Sequence, residues 1–304
     1  MPAREIDLRY DATPSALSYM LRGALPVPRR IDLSPPIAAR WSGHRPDRQQ
    51  LGRFLELTGL PAGATLPLLY PHTFGFRLAM AVLTHPAFPV PIWGVLQIRN
   101  HLRQHRPIPV DAALDFEARF EGGRALDKGA ELDLHTTVHV SGALAWESTV
   151  TFLARGRFGA AGAPSPLTRS PSDLGPELAR WTMRDEGHLR FGAFTGDYNG
   201  IHTWDWYARR FGFRQALYHP PRVLGECLAR LPAIDPAAPQ RLDAWLKGPV
   251  PHGAPVRLHA QPEGDATTFA LFADGRGDRG QDRPRVVGRW SCTVKGPPWN
   301  DSKI

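Results

Sequence analysis

A chain of 304 residues, 42% of them hydrophobic and 22% charged, can build a packed core in about two domains and is neither disordered nor fibrous. Its net charge of +8 comes from arginine, since of 37 basic residues only Lys128, Lys247, Lys295 and Lys303 are lysines. The cations are dispersed among 29 acids with no basic tract, which argues against nucleic acid and leaves composition bias, or a surface that attracts anionic groups, as the explanation.

Residues 1–60 read as a helical extension. Thr13-Pro14 offers a helix start, Asp47 with Gln50 resembles a capping box ahead of Leu51, Phe54 and Leu55, and Gly59 reads as a stop. A first domain follows over 61–155, with an apolar helix from Phe74 to Leu83. Three strands then show period-two alternation: Leu114-Phe116-Ala118-Phe120, Leu132-Leu134-Val138-Val140 and Leu144-Trp146-Val150-Phe152. Glu121-Gly122-Gly123 and Ser141-Gly142 are the expected turns. Residues 156–176 are too rich in glycine and proline for a regular element and form the expected linker.

The second domain, 177–304, repeats the plan of the first. An apolar helix over Val223–Leu231 precedes strands at Val256–Ala260, Phe269–Ala273 and Val286–Val294. The helix entries also match, Tyr70-Pro71-His72 in one half and Tyr218-His219-Pro220 in the other, which points to an internal duplication. The fold class read from this pattern is α+β, with two antiparallel sheets each wrapping a long apolar helix.

Chemistry concentrates in Thr195-Gly196-Asp197-Tyr198-Asn199-Gly200-Ile201-His202 and its continuation through Ala208, Gly212-Phe213 and His219. A turn containing Gly196 and Gly200 can aim Asp197 and His202 at one point, which a regular helix at five-residue spacing does not. The bland reading is a turn with a structural aspartate. The extended register favours function and resembles the MaoC-like family of (R)-specific enoyl-thioester hydratases and dehydratases, of double hot-dog fold.

The resemblance implies that Asp197 and His202 contact one water and divide the acid and base duties of adding or removing water across the 2,3 bond of an acyl thioester, with Asn199 fixing the loop. Thr195, Gly196, His219, Pro220 and Arg222 then border the substrate. In such a protein Arg209, Arg210, Arg214 and Arg222 would meet coenzyme A phosphates or an acidic acyl carrier protein, although a solvated helix face has the same composition. The family follows its second histidine with glycine, whose N–H helps hold the thioester oxygen, and this chain has Pro220, which has none. Either another amide, such as that of Arg222, substitutes, or the chemistry is altered. No cofactor or metal is expected. The partner is an acyl-CoA or acyl carrier protein thioester, with a homodimer possible, and the first half serves as a degenerate copy shaping the acyl tunnel. The alternatives are a non-catalytic acyl-thioester-binding protein and a thioesterase on the same fold.

Other signals point elsewhere only weakly. Gly275–Gly280 spells GxGxxG but leads to Pro284 and no helix, so a hairpin loop is expected. His135 and His139 share a strand face with Glu131 and Asp133, a solvated face or an adventitious metal patch, and His101 and His105 lack a third ligand. Trp204, Trp206 and Tyr207 are candidates for core or for an acyl channel. Cys227 and Cys292 are too few for a disulfide framework, and no GxSxG elbow is present. With no apolar run behind Arg4, Glu5, Asp7 and Arg9, and prolines breaking the apolar stretch 74–98, a cytoplasmic setting is expected. The final Ser302-Lys303-Ile304 differs from a peroxisomal address in its last residue.

Overall fold

The computed structural model describes residues 5–25, 33, 35–163, 165–273 and 283–293. Strands β1 (Ile6–Tyr10), β2 (Ile37–His44), β3 (Val95–Gln104), β4 (Leu114–Leu126), β5 (Gly129–Val140) and β6 (Ala143–Arg155) come from the first half. Strands β7 (Glu177–Thr182), β8 (Gln240–Leu246), β9 (Pro255–Glu263), β10 (Ala266–Ala273) and β11 (Val286–Ser291) come from the second. All eleven form one sheet in the order β1-β2-β4-β5-β6-β3-β8-β11-β10-β9-β7. Apart from β1, each half contributes five strands in the same permuted order, as a duplication requires. The halves join by antiparallel pairing of β3 with β8, Arg99 opposite Trp245 through Gln104 opposite Gln240.

Helix α1 is Ala16–Ala24 and α2 is Arg48–Thr58. The first half's long helix, α3 (Leu69–Leu83), is apolar all round, and every residue but Phe76 and Arg77 is buried against β2, β4, β5 and neighbouring helices. Its counterpart α6 (Pro220–Leu228) follows α4 (His188–Thr195) and α5 (Asp205–Arg210) and is tied to β7 by a 2.8 Å hydrogen bond from Trp181 Nε1 to Glu226.

The helical reading of 1–60 is corrected by β1 and β2, because β2 pairs with β4 and opens the first half's sheet. Its burial explains the error: Ile37, Ala38 and Ala39 are all covered, so no alternation marks the strand. The Asp47 cap is present, Oδ1 accepting from Gln50 N at 2.9 Å. Thr13-Pro14 does not start α1, which begins after Ser15. Nor do Glu121-Gly122-Gly123 turn the chain. They lie inside β4 where its register with β5 shifts between Phe120 and Gly123, a β-bulge. Ser141-Gly142 does turn it, both with positive φ (52° and 78°).

Residues 156–176 connect β6, next to the seam, to β7 at the far edge of the sheet. On the way Leu167 O accepts from Trp245 Nε1 at 2.8 Å, and Leu174 packs on Trp245, Phe272 and Val287. The GxGxxG loop at 275–280 and the final 302–304 lie outside the described residues. No described helix is long and apolar enough to cross a membrane.

Candidate active site

Helix α4 ends at Thr195, and Gly196 at φ 73° reverses the chain there, a left-handed position that a Cβ disfavours. The following loop is held by its own side chains. Thr195 Oγ1 accepts from Asp197 N at 3.0 Å, Asp197 Oδ1 from Asn199 N at 3.1 Å, and Asn199 Oδ1 from Ile201 N at 3.2 Å. Asn199 thereby caps a single 3-10 turn, Gly200–His202, which delivers His202 to the site.

His202 and Asp197 face one another with Nε2 and Oδ2 3.4 Å apart, a separation that leaves both atoms open to a bridging water or hydroxyl. On its other side His202 Nδ1 donates to Leu217 O at 2.9 Å, so Nε2 is the working nitrogen. His219 stacks on His202 with ring centroids 3.9 Å apart, and its Nε2 donates to Asp197 O at 3.3 Å. Among the described residues these three are the only His, Cys, Asp or Glu group gathered closely enough to hold a cation.

Burial pushes the Asp197 carboxyl up, but the imidazoles of His202 and His219 and the Asn199 N–H outweigh it and hold the group at about 2. Burial pulls His202 down, and the Asp197 carboxylate more than reverses this, so its pKa lies above the ordinary value. His219 is pulled well below, first by burial and then by the neighbouring His202 charge, and is neutral. The pair is therefore a carboxylate beside an imidazole poised to be charged.

Asp197, Asn199 and His202 open onto a cavity of about 420 Å³ with a predominantly apolar lining. Met20, Phe76, Met80, Trp93 and Phe152 of the first half contribute to it, together with Tyr218 and Val223 of the second. The first half thus forms part of the wall. Cations missed in the sequence, Arg155 and Lys247, also line it. Neither lies near the motif in sequence: Arg155 ends β6 of the first half, and Lys247 follows β8 of the second.

Pro220 lines the cavity at the start of α6, where Pro220 and Pro221 have no N–H and Arg222 N is already bonded to His219 O at 3.0 Å. The Arg222 amide therefore does not replace the missing donor. Nor does the Arg222 side chain meet substrate. It is fully buried, donates to Leu57 O and Glu186 O at 3.1 and 2.7 Å, and lies over the Tyr218 ring. Its guanidinium links elements that the sequence sets far apart, which the linear cluster hid. Arg209, Arg210 and Arg214 are exposed, Arg209 Nε donating to Arg214 O at 3.0 Å. Trp204 and Trp206 are 50% and 57% exposed and do not line the cavity, so they are neither core nor channel.

His101, His105 and His135 are engaged elsewhere. His101 Nδ1 lies 2.8 Å from Asp243 in the seam, His105 pairs with Glu147 at 3.1 Å, and His135 with Thr149 at 2.9 Å. Asp133 and Glu131 are occupied by Arg124 and Arg99, which removes the metal reading of that face.

No established family model matches the chain. The 3-hydroxyacyl-thioester dehydratase X of Mycobacterium tuberculosis is 33% identical over 228 residues, covering 74% of this chain and 81% of that protein. Its crystal structure superposes with a TM-score of 0.68 at 25% identity, over 83% of this chain and 98% of that one. A MaoC-like dehydratase from Phytophthora capsici gives 0.68 at 16% identity, over 87% and 97% of the two chains, and a second M. tuberculosis protein described as a double hot-dog gives 0.56 at 16%, over 89% and 97%. Two halves of one permuted strand order in a continuous sheet, each with its central helix, are that fold, and the chain belongs to the family of MaoC-like dehydratases.

Proposed function

We propose that the protein is an (R)-specific hydratase/dehydratase of acyl thioesters, interconverting 3-hydroxyacyl and 2-enoyl forms carried on phosphopantetheine. The observation that carries this reading is the Asp197–His202 pair at 3.4 Å, opening onto an apolar cavity that can house an acyl chain. In dehydration, Asp197 takes the α-proton while the His202 imidazolium protonates the departing hydroxyl, which leaves as water. Both groups are then in the opposite protonation state, and proton transfer from Asp197 to His202 restores them. Hydration runs the same steps backwards. The developing enolate is met by the positive end of the α6 dipole without a first-turn N–H.

The carrier's phosphates approach past exposed Arg209, Arg210 and Arg214, which neighbour the cavity-lining Phe213. Arg155 and Lys247 at the cavity itself are the competing position. A cytoplasmic enzyme is part of this reading, and a homodimer is compatible with it.

The deciding experiment follows absorbance of crotonyl-CoA and longer enoyl-CoAs with purified protein, with the chirality of the product determined. Turnover to the (R)-3-hydroxy product supports the proposal. Binding without turnover would favour the acyl-thioester-binding alternative, to which Pro220 lends weight, and release of free thiol would favour a thioesterase. If KM is insensitive both to salt and to Ala substitution at 209, 210 and 214, while Arg155 and Lys247 substitutions raise it, the carrier enters past the second pair.

A further inference from the structure

We infer that Arg77, on the first half's helix, is a positioning residue for the catalytic loop of the second half, a role that rests on the dehydratase reading. The last carbonyls of α4, the helix that leads directly into Gly196 and Asp197, have no intrahelical partners, and Arg77 supplies them. Its Nε donates to Phe194 O at 3.0 Å and its Nη2 to Ala193 O, across 117 and 116 positions of sequence. A cation at a helix C-terminus is also favoured by the helix dipole. The third donor, Nη1, reaches Pro14 O at 3.4 Å just before α1. Among the described residues no carboxylate pairs with this guanidinium, so all its recorded bonds go to three carbonyls.

Helix α1 completes the device. Tyr19 is fully buried and its hydroxyl, which has no hydrogen-bond partner, lies over Gly196, where a Cβ would stand 1.6 Å from it. A Cβ at Gly196 would also come within 3.4 Å of Arg77 Cγ. Two first-half side chains therefore bear on the residue before Asp197, one gripping the preceding carbonyls and the other pressing on the turn. The opposite end of the loop is fixed within the second half, by His202 Nδ1 on Leu217 O and by Tyr207 against Gly200. With Asp197 Oδ2 and His202 Nε2 only 3.4 Å apart, release of the first anchor separates one member of the pair from the other. That misplacement lowers the chemical step far more than substrate affinity.

The test compares the parent with Arg77→Met, Arg77→Lys, and Arg77→Met in an Asp197→Asn background. Steady-state kinetics on an enoyl-CoA are read together with amide hydrogen exchange over 193–202 and the unfolding midpoint. Expected for Arg77→Met are a kcat reduced roughly 10- to 100-fold with KM within about threefold, and faster exchange confined to this segment. Arg77→Lys, which keeps a cation and one carbonyl contact, should recover part of the rate. Beside Asp197→Asn the same change should cost less than about threefold, because the position of the carboxylate no longer matters.

An unchanged kcat in Arg77→Met, a loss expressed only in KM, or a loss of rate without faster exchange would each overturn the proposal. So would an equal loss in both backgrounds. Should Arg77→Met fail to fold, Arg77→Lys decides by the same readings, with an intermediate rate and intermediate exchange expected. Exchange does not depend on turnover, so a parent inert toward every thioester would refute the dehydratase reading while leaving the mechanical coupling of Arg77 to 193–202 open to measurement.

Discussion

The two halves share a strand order and a central helix, but single histidines that pack near those helices differ in what they face. In the second half His202 has a carboxylate at 3.4 Å and its pKa is raised. In the first half His44 meets the Tyr70 hydroxyl at 3.3 Å amid Trp41, Phe74 and Phe116, and His72, within α3, is buried with its Nε2 unbonded. Burial pulls both to about 4, His44 with help from Arg77. A single acid thus decides whether a buried imidazole is held neutral or readied as a proton donor. The space differs accordingly, a void of about 10 Å³ beside His72 against about 420 Å³ beside His202.

The contrast fails first at the acid–base pair. Asp197→Asn and His202→Gln should each lower turnover by at least ~10² without unfolding the chain, whereas His72→Gln should change it by less than about twofold. Loss of rate in the last variant, measured with the same enoyl-CoA, would mean that the first half takes part in the chemistry. Pro220→Gly should raise kcat by up to ~10² if the regained N–H reaches the thioester oxygen. No gain in a folded variant would show that the α6 dipole already suffices.

A third expectation concerns the origin of the shift itself. In Asp197→Asn the upward pull of the carboxylate on His202 is lost and burial is opposed only by the hydrogen bond to Leu217 O, so its titration, followed by ring-proton NMR, should move down. In the parent, dehydration should weaken as pH rises through the raised His202 value, where the imidazolium is lost, with no acid limb from Asp197 above about 3, since its carboxyl lies at about 2.

The smallest effect is on stability. His72, at about 4 when folded, binds its proton more readily unfolded, so its stabilising neutrality is present above 6.5 and lost as pH falls from 6.5 toward 4. His72→Leu should flatten the acid side of the parent's denaturation midpoint against pH by up to about 3 kcal/mol at pH 4, and an unaltered profile would locate the acid sensitivity elsewhere.

Much of this was legible because alternation survives where one sheet face is apolar and the other wet. Strand β4 alternates over Leu114–Phe120 and β5 from Leu132 to His139, and the motif from Thr195 to His219 carries its spacing in the sequence itself. The seam strands β3 and β8 were not legible, for they bury polar side chains: Arg99 against Glu131 at 2.7 Å, His101 and Arg241 on Asp243, both at 2.8 Å. A charged residue under the sheet reads as surface until its partner, from a distant strand, is known. The same holds for Arg222, grouped by sequence with three exposed arginines and separated from them by the Leu57 and Glu186 carbonyls it serves.

The pairing of β3 with β8 has an evolutionary consequence. If the halves were separate identical chains meeting along that seam, every substitution would fall on both sides of the symmetry axis, and neither copy could lose its acid without the other losing it too. Joined covalently, they are released from that constraint and from any dependence of the pairing on protein concentration. One copy is free to trade reactivity for shape, supplying Phe76, Met80 and Phe152 to the cavity wall, while the other keeps Asp197 and His202. The asymmetry of the present molecule is a state that a symmetric dimer of identical chains cannot reach.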